Sequence, residues 1–207
     1  MSTPININLI SSNHFKGLIV DNSRPLIEAF LESIYDSVNN ALIHSPRTRS
    51  VFCEFYIHNG QPHLHLKLIQ EFFTELTRRV KACLSKYKTS PIHWIYRISE
   101  NEDGKLIFRV VVLFNARDFK RINESRNLQS VVELMNSLWR NVASDYTSVV
   151  NNYLNYVRVI DHHYLHNRRK DFHYVLEKQM YILSSMAHYK GNEQDYLNLG
   201  FGHSAFY

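Results

Sequence analysis

The sequence predicts an α+β fold: a ferredoxin-like βαββαβ antiparallel sheet with extra helices at the N- and C-terminal ends. Two helical periodicities sit between four strand-like segments, and that alternation sets the class. The segment "LIFRVVVLFN" is apolar enough to be a central strand buried on both faces. Hydrophobic content of 44% with 13% aromatic residues supplies a core, so a disordered chain is excluded.

The elements follow in order. Residues 23–43 read as a helix, with Ser23 as cap, Pro25 in the first turn, and Phe30, Leu31, Ile34, Val38, Ala41 and Leu42 at helical spacing. "HSPRT" ends it, and "SVFCEFYI" (50–57) is a strand rich in β-branched and aromatic residues. "NGQP" marks a loop, after which Ile69, Phe72, Phe73, Leu76, Val80, Cys83, Leu84 and Tyr87 make an amphipathic helix over 66–88. "IHWIYRIS" and residues 106–115 are strands two and three, joined by the turn-like "ENEDGK". Leu128 to Val142 carry another helix, "NYVRVI" (155–160) the fourth strand, and 171–189 the last helix, followed by a tail to 207. Right-handed crossovers place strand three beside strand one at the centre, with both crossover helices on one face. A single domain is expected, its core spanning 48–162.

Six glycines and five prolines leave no linker-like stretch, and Cys53 and Cys83 lie in apolar-patterned segments, which reads as a reducing interior without a disulfide framework. No basic start precedes an apolar run and no apolar stretch reaches membrane-spanning length, so the expectation is a soluble cytoplasmic protein. Net charge is +5 with a pI of about 9.1, which favours a polyanionic partner. The nucleic-acid-binding candidates are Arg47, Arg49, Arg78, Arg79, Arg97, Arg109, Arg117, Lys120, Arg121, Arg168, Arg169 and Lys170. "DHHYLHNRRKDFH" reads as a basic surface loop. Arg109, inside an apolar strand, needs either a carboxylate such as Glu54 or a bound anion.

Several stretches carry a family resemblance: "ALIHSPRTRSVFCEFYI", "HWIYRISENEDGKLIFRVVVLFN", "NSLWRNV" with Trp139, and "YILSSMAHYK" followed by "LNLGFGHS". In this order, over roughly residues 26–207, they resemble the inovirus replication initiators and the related YagK/YfjJ C-terminal domain. The resemblance implies a Rep-type HUH domain of a phage or mobile element in a bacterial host. In such initiators a histidine–hydrophobe–histidine pair on strand three holds a divalent cation, and a tyrosine in a Tyr-x-x-Lys pattern on the last helix attacks the scissile phosphate. Here the histidine positions fall on Ile107 and Arg109, with Asn115 retained at the strand's end, and the Tyr-x-x-Lys positions fall on Ser185 and His188. Isoleucine has no ligand atom and a guanidinium repels a cation. The expectation is therefore a catalytically degenerate initiator-like domain without a cofactor, which binds DNA, single-stranded or hairpin, or a host or phage protein. The alternative is an active single-strand endonuclease. His58, His63 and His65 of "HNGQPHLH" would then hold Mg or Mn, with Tyr181 or Tyr189 as nucleophile.

Overall fold

The computed structural model describes residues 7–57, 65–100, 106–124, 131–146, 156–166, 171–189 and 201–203. Its centre is a five-stranded antiparallel sheet flanked by helices on both faces. Ahead of the sheet come two short ribbons: β1 (Leu9–Ile10) pairs with β4 (Leu26–Ile27), and β2 (His14–Phe15) pairs with β3 (Leu18–Ile19). The β2–β3 turn places Lys16 at φ 50° and Gly17 at φ 76°, both left-handed. Gly17→Ala should therefore cost about 1–2 kcal/mol in a denaturant titration, although a Cβ there meets no neighbour within 4 Å.

Helix α1 (Glu28–His44) begins five residues later than Ser23 and Pro25 suggested, because Leu26 and Ile27 are held extended against Ile10 and Leu9. It ends where Pro46 removes a backbone donor. The Ser45 N–H reaches the Ala41 carbonyl at 2.9 Å, and the buried Thr48 hydroxyl donates to the Ser45 carbonyl at 3.0 Å. Strand β5 (Arg47–Tyr56) starts at once. Helix α2 (His65–Cys83), β6 (His93–Glu100) and β7 (Leu106–Asn115) follow. An unforeseen helix, α3 (Ala116–Glu124), leaves β7 without a break, then come α4 (Val131–Ser144) and β8 (Tyr156–His166). The last elements are α5 (Phe172–Ser184), a 3₁₀ turn at Ser185–Ala187, and β9 (Phe201–His203). Helix α5 thus stops short of residue 189.

The strands lie in the order β8-β5-β7-β6-β9, so β7 sits beside β5 at the centre. Odd-numbered side chains of β5 (Val51, Cys53, Phe55) face α2 and α4, which bury Ile69, Phe72, Leu76, Met135 and Trp139 against them. Each such side chain contributes about 1.5–3 kcal/mol by leaving water. The other face receives α1 and α5 through Ile34, Val38, Met180 and Leu183, which pack with Ile95, Val111, Leu113 and Leu165.

Strand β8 corrects the reading of "DHHYLH" as loop: the segment pairs with Arg47–Phe52. The pairing contains a bulge. Phe52 faces Asp161 and Cys53 faces Val159, so Ile160 has no partner. One extra residue inverts the alternation beyond it. Tyr156 and Arg158, before the bulge, share the α1/α5 face with Tyr56 and Glu54, whereas Tyr164, after it, shares the α2/α4 face with Arg49. Among the described residues no helix is long and apolar enough to cross a membrane.

Candidate nucleic-acid interface

The start of β5, the end of β7 and the first turn of α3 converge on a cavity of about 820 Å³. It is lined by Ser45, Pro46, Arg47, Arg49, Asn115, Ala116, Arg117, Phe119, Lys120, Asn123 and Tyr164, none of them acidic. Local chemistry builds each wall. The Ser45 hydroxyl donates to the Arg47 carbonyl at 2.8 Å, which fixes the turn while the Arg47 side chain stays exposed. The Arg49 guanidinium lies 5.4 Å from the Phe119 ring and 5.5 Å from the Tyr164 ring, so two cation–π contacts hold it. Asn115 caps α3: its Oδ1 accepts the Arg117 N–H at 2.9 Å, while its Nδ2 donates to Ser90 Oγ at 2.9 Å. Buried Asp118 accepts the Ser90 N–H at 2.8 Å, which ties α3 to the approach of β6. Four cations around a concave wall focus a positive potential that attracts phosphate.

Next to this rim, His44 stacks on His93 at 5.5 Å. Burial and the neighbouring His44 push His93 down to about 4. The unfolded chain, with an ordinary histidine near 6.5, then binds more protons than the folded one between these values. Stability should fall by about 1.4 kcal/mol per pH unit as pH drops through that window, and denaturant titrations of His93→Phe should lose that slope.

The far end of the sheet, on the opposite face, carries a second polar cluster. Glu54 stands across the strands from Arg109 and Arg158. Its Oε2 accepts Arg158 Nη2 at 2.5 Å and the Tyr56 hydroxyl at 2.6 Å, and Arg109 Nε lies 3.6 Å from Oε1. Burial opposes ionisation of Glu54, but the Tyr56 and Arg158 hydrogen bonds and the two guanidinium charges outweigh it and hold the carboxyl below its usual range. Burial and the adjacent carboxylate push the Tyr56 phenol up to about 12. The Tyr56 and Tyr156 rings stack at 4.5 Å.

Residues 10–204 match the YagK/YfjJ C-terminal domain. The chain belongs to the YagK/YfjJ C-terminal domain family. No curated protein and no solved structure matches it.

In this YagK/YfjJ domain the sequence-predicted candidates separate into groups. Arg47, Arg49, Arg117 and Lys120 come together in the groove. Arg78 and Arg79 do not join them: both bind Glu75 on α2, at 2.5 and 2.9 Å, and pull that carboxyl down to about 2. Arg121 turns toward Asp118 (3.9 Å) and lies 3.8 Å over the Tyr87 ring. Arg97 is buried under Phe30 and donates to the Met186 and His188 carbonyls, which removes it as a DNA contact and makes it the tie for the C-terminal turn. Arg109 finds the carboxylate that its place in an apolar strand required. Arg168, Arg169 and Lys170 lie outside the described residues.

Ile107 and Arg109 share the α1/α5 face, but they do not fit a divalent cation: one has no donor atom, and the other is a cation bound to Glu54. Ser185 opens the 3₁₀ turn. His188 Nε2 sits 3.0 Å from the Asp21 carbonyl and 3.6 Å from its carboxylate, so it joins the N-terminal ribbons to the end of α5. Tyr181 is exposed, whereas Tyr189 is partly buried and donates its N–H to the Pro25 carbonyl at 2.7 Å. His58 and His63 lie outside the described residues. His65 is the first residue of α2, not part of a loop, and its side chain is also outside them. Among the described residues no group of three or more histidine, cysteine or carboxylate side chains could hold a metal. The sequence reading missed Phe119 and Tyr164 in the groove, and Tyr56, Tyr156 and Arg158 in the cluster.

Proposed function

We propose that this chain is a ferredoxin-like, initiator-type domain of a phage or mobile element. It has lost nicking chemistry and acts by binding nucleic acid, with the bacterial cytoplasm as its place of action. The carrying observation is the groove, where Arg47, Arg49, Arg117 and Lys120 line a concave wall with two aromatic rings and no carboxylate. The four crossover strands, in the order β8-β5-β7-β6, support the ferredoxin-like reading. Loss of chemistry is supported by Ile107 and by the Arg109–Glu54 pair at the positions the initiator resemblance assigns to metal ligands.

Phosphates neutralised by four side chains release counterions, and a single strand then gives a log–log salt slope of about −3. Fluorescence anisotropy with labelled single-stranded and hairpin DNA should show affinity falling about 50-fold between 50 and 200 mM salt. Absence of binding at low salt overturns the nucleic-acid reading and directs the search to a protein partner. The same DNA incubated with Mn²⁺ should remain intact. A nicked product joined covalently to the protein overturns the loss of chemistry and implicates a site using His58, His63 or His65 with Tyr181 or Tyr189.

A further inference from the structure

We propose that the domain takes a single strand across the β8 edge of its sheet, from the basic groove on one face to Tyr156 and Arg158 on the other. This inference rests on the groove being a nucleic-acid site. Strand β8 is the outermost strand on that side among the described residues, so no neighbouring strand separates its two faces. The bulge at Ile160 turns Tyr164 into the groove and leaves Tyr156 and Arg158 on the opposite face. Both ends of this path offer an aromatic ring and a guanidinium. Tyr164 is 50% exposed and stands 5.5 Å from Arg49. Tyr156 is 39% exposed and stacked on Tyr56, and the Arg158 side chain is 58% exposed while Glu54 fixes its orientation.

A ring beside a cation at each end fits stacked bases joined by phosphate, and stacking tolerates any base. Tyr164 lies six residue steps along β8 from Arg158, about 20 Å. A duplex cannot follow this path, because its persistence length is about 150 bp and the edge it would turn around is about 10 Å thick. A single strand bends freely at that scale. Asp161, on the path, is an opposing charge, and its carboxylate lies 3.0 Å from His163 Nε2.

The test is anisotropy with labelled oligodeoxythymidines of increasing length, from about 3 to about 16 nucleotides, spanning known single-strand site sizes. Short oligomers should reach the groove alone. Affinity should then step up by about tenfold or more once the strand spans to Tyr156, the gain expected from one stacked base. Tyr156→Ala with Arg158→Ala should erase the step and leave the short oligomers unchanged. A fully paired hairpin stem of the same length should show no step. A flat length dependence for the wild-type protein overturns the edge path and leaves the groove standing, and no variant needs to fold for that result. A failure of every oligomer to bind overturns the groove reading itself.

Discussion

Arg47→Glu combined with Arg117→Glu should reduce nucleic-acid affinity by about 2–4 kcal/mol, or roughly 30- to 800-fold. Both side chains are exposed on the groove wall, and neither takes part in an ion pair among the described residues, so their replacement leaves the packing of the fold intact. Each reversal deletes one attraction to phosphate and adds one repulsion of similar size. The salt slope should also fall in magnitude, by about 0.7 for each phosphate that is no longer neutralised. Reversal of Arg78 provides the control. Arg78 carries the same formal charge, but Glu75 already neutralises it on an exposed helix face. Its replacement by Glu should change affinity less than about threefold, since isolated surface charges far from the site are screened within about 10 Å. A loss for the Arg78 variant about half that of the Arg47/Arg117 variant in free energy, in proportion to the charge removed, would mean that net charge alone, rather than the groove, drives binding.

The contrast between those two variants also marks what a sequence can reveal. Arg78 and Arg79 count as nucleic-acid candidates on sequence alone, although their pairing was legible in the spacing, since Glu75 stands three and four residues before them on a strongly periodic helix. The burial of Arg97 was not: its acceptors are carbonyls about 90 residues later, in a turn that only the packing of α5 places over β6. The order of the larger elements followed from periodicity. The ribbons β1 to β4 escaped because strands of two residues carry no period. Helix α3 escaped because it continues from a strand without a Gly or Pro break; its local signals are the Asn115 cap, Asp118 in the first turn and Arg121 in the last.

The groove's aromatic wall was hidden for a different reason. Strict alternation along β8 would put Tyr164 on the same face as Arg158, and only the unpaired Ile160 sends it to the other. The placement of Arg109 against Glu54, by contrast, was readable as a requirement, since a guanidinium inside an apolar strand needs an anion. What the sequence left open was which of the two answers, carboxylate or ligand, fills that need.

Trp139→Ala should be the most damaging single change to stability, at about 3–5 kcal/mol. The indole is fully buried and meets Phe55, Phe72 and Phe108 at 4.9, 5.7 and 5.4 Å between ring centroids. Those three rings come from β5, α2 and β7, so this one side chain closes the α2/α4 face of the sheet. Its Nε1–H donates to the Tyr56 carbonyl at 2.7 Å, at the end of β5 where the polar cluster begins. Trp139→Phe separates the two contributions. It retains most of the ring packing, so its cost should come chiefly from the orphaned carbonyl, about 1–3 kcal/mol. Urea titrations should show midpoints falling in the order wild type, Trp139→Phe, Trp139→Ala, with unchanged slopes for a cooperative fold. If Trp139→Phe proved as costly as Trp139→Ala, the hydrogen bond to Tyr56 would outweigh the packing. The indole would then act mainly as a clamp on the end of β5 that presents Glu54 to its two arginines.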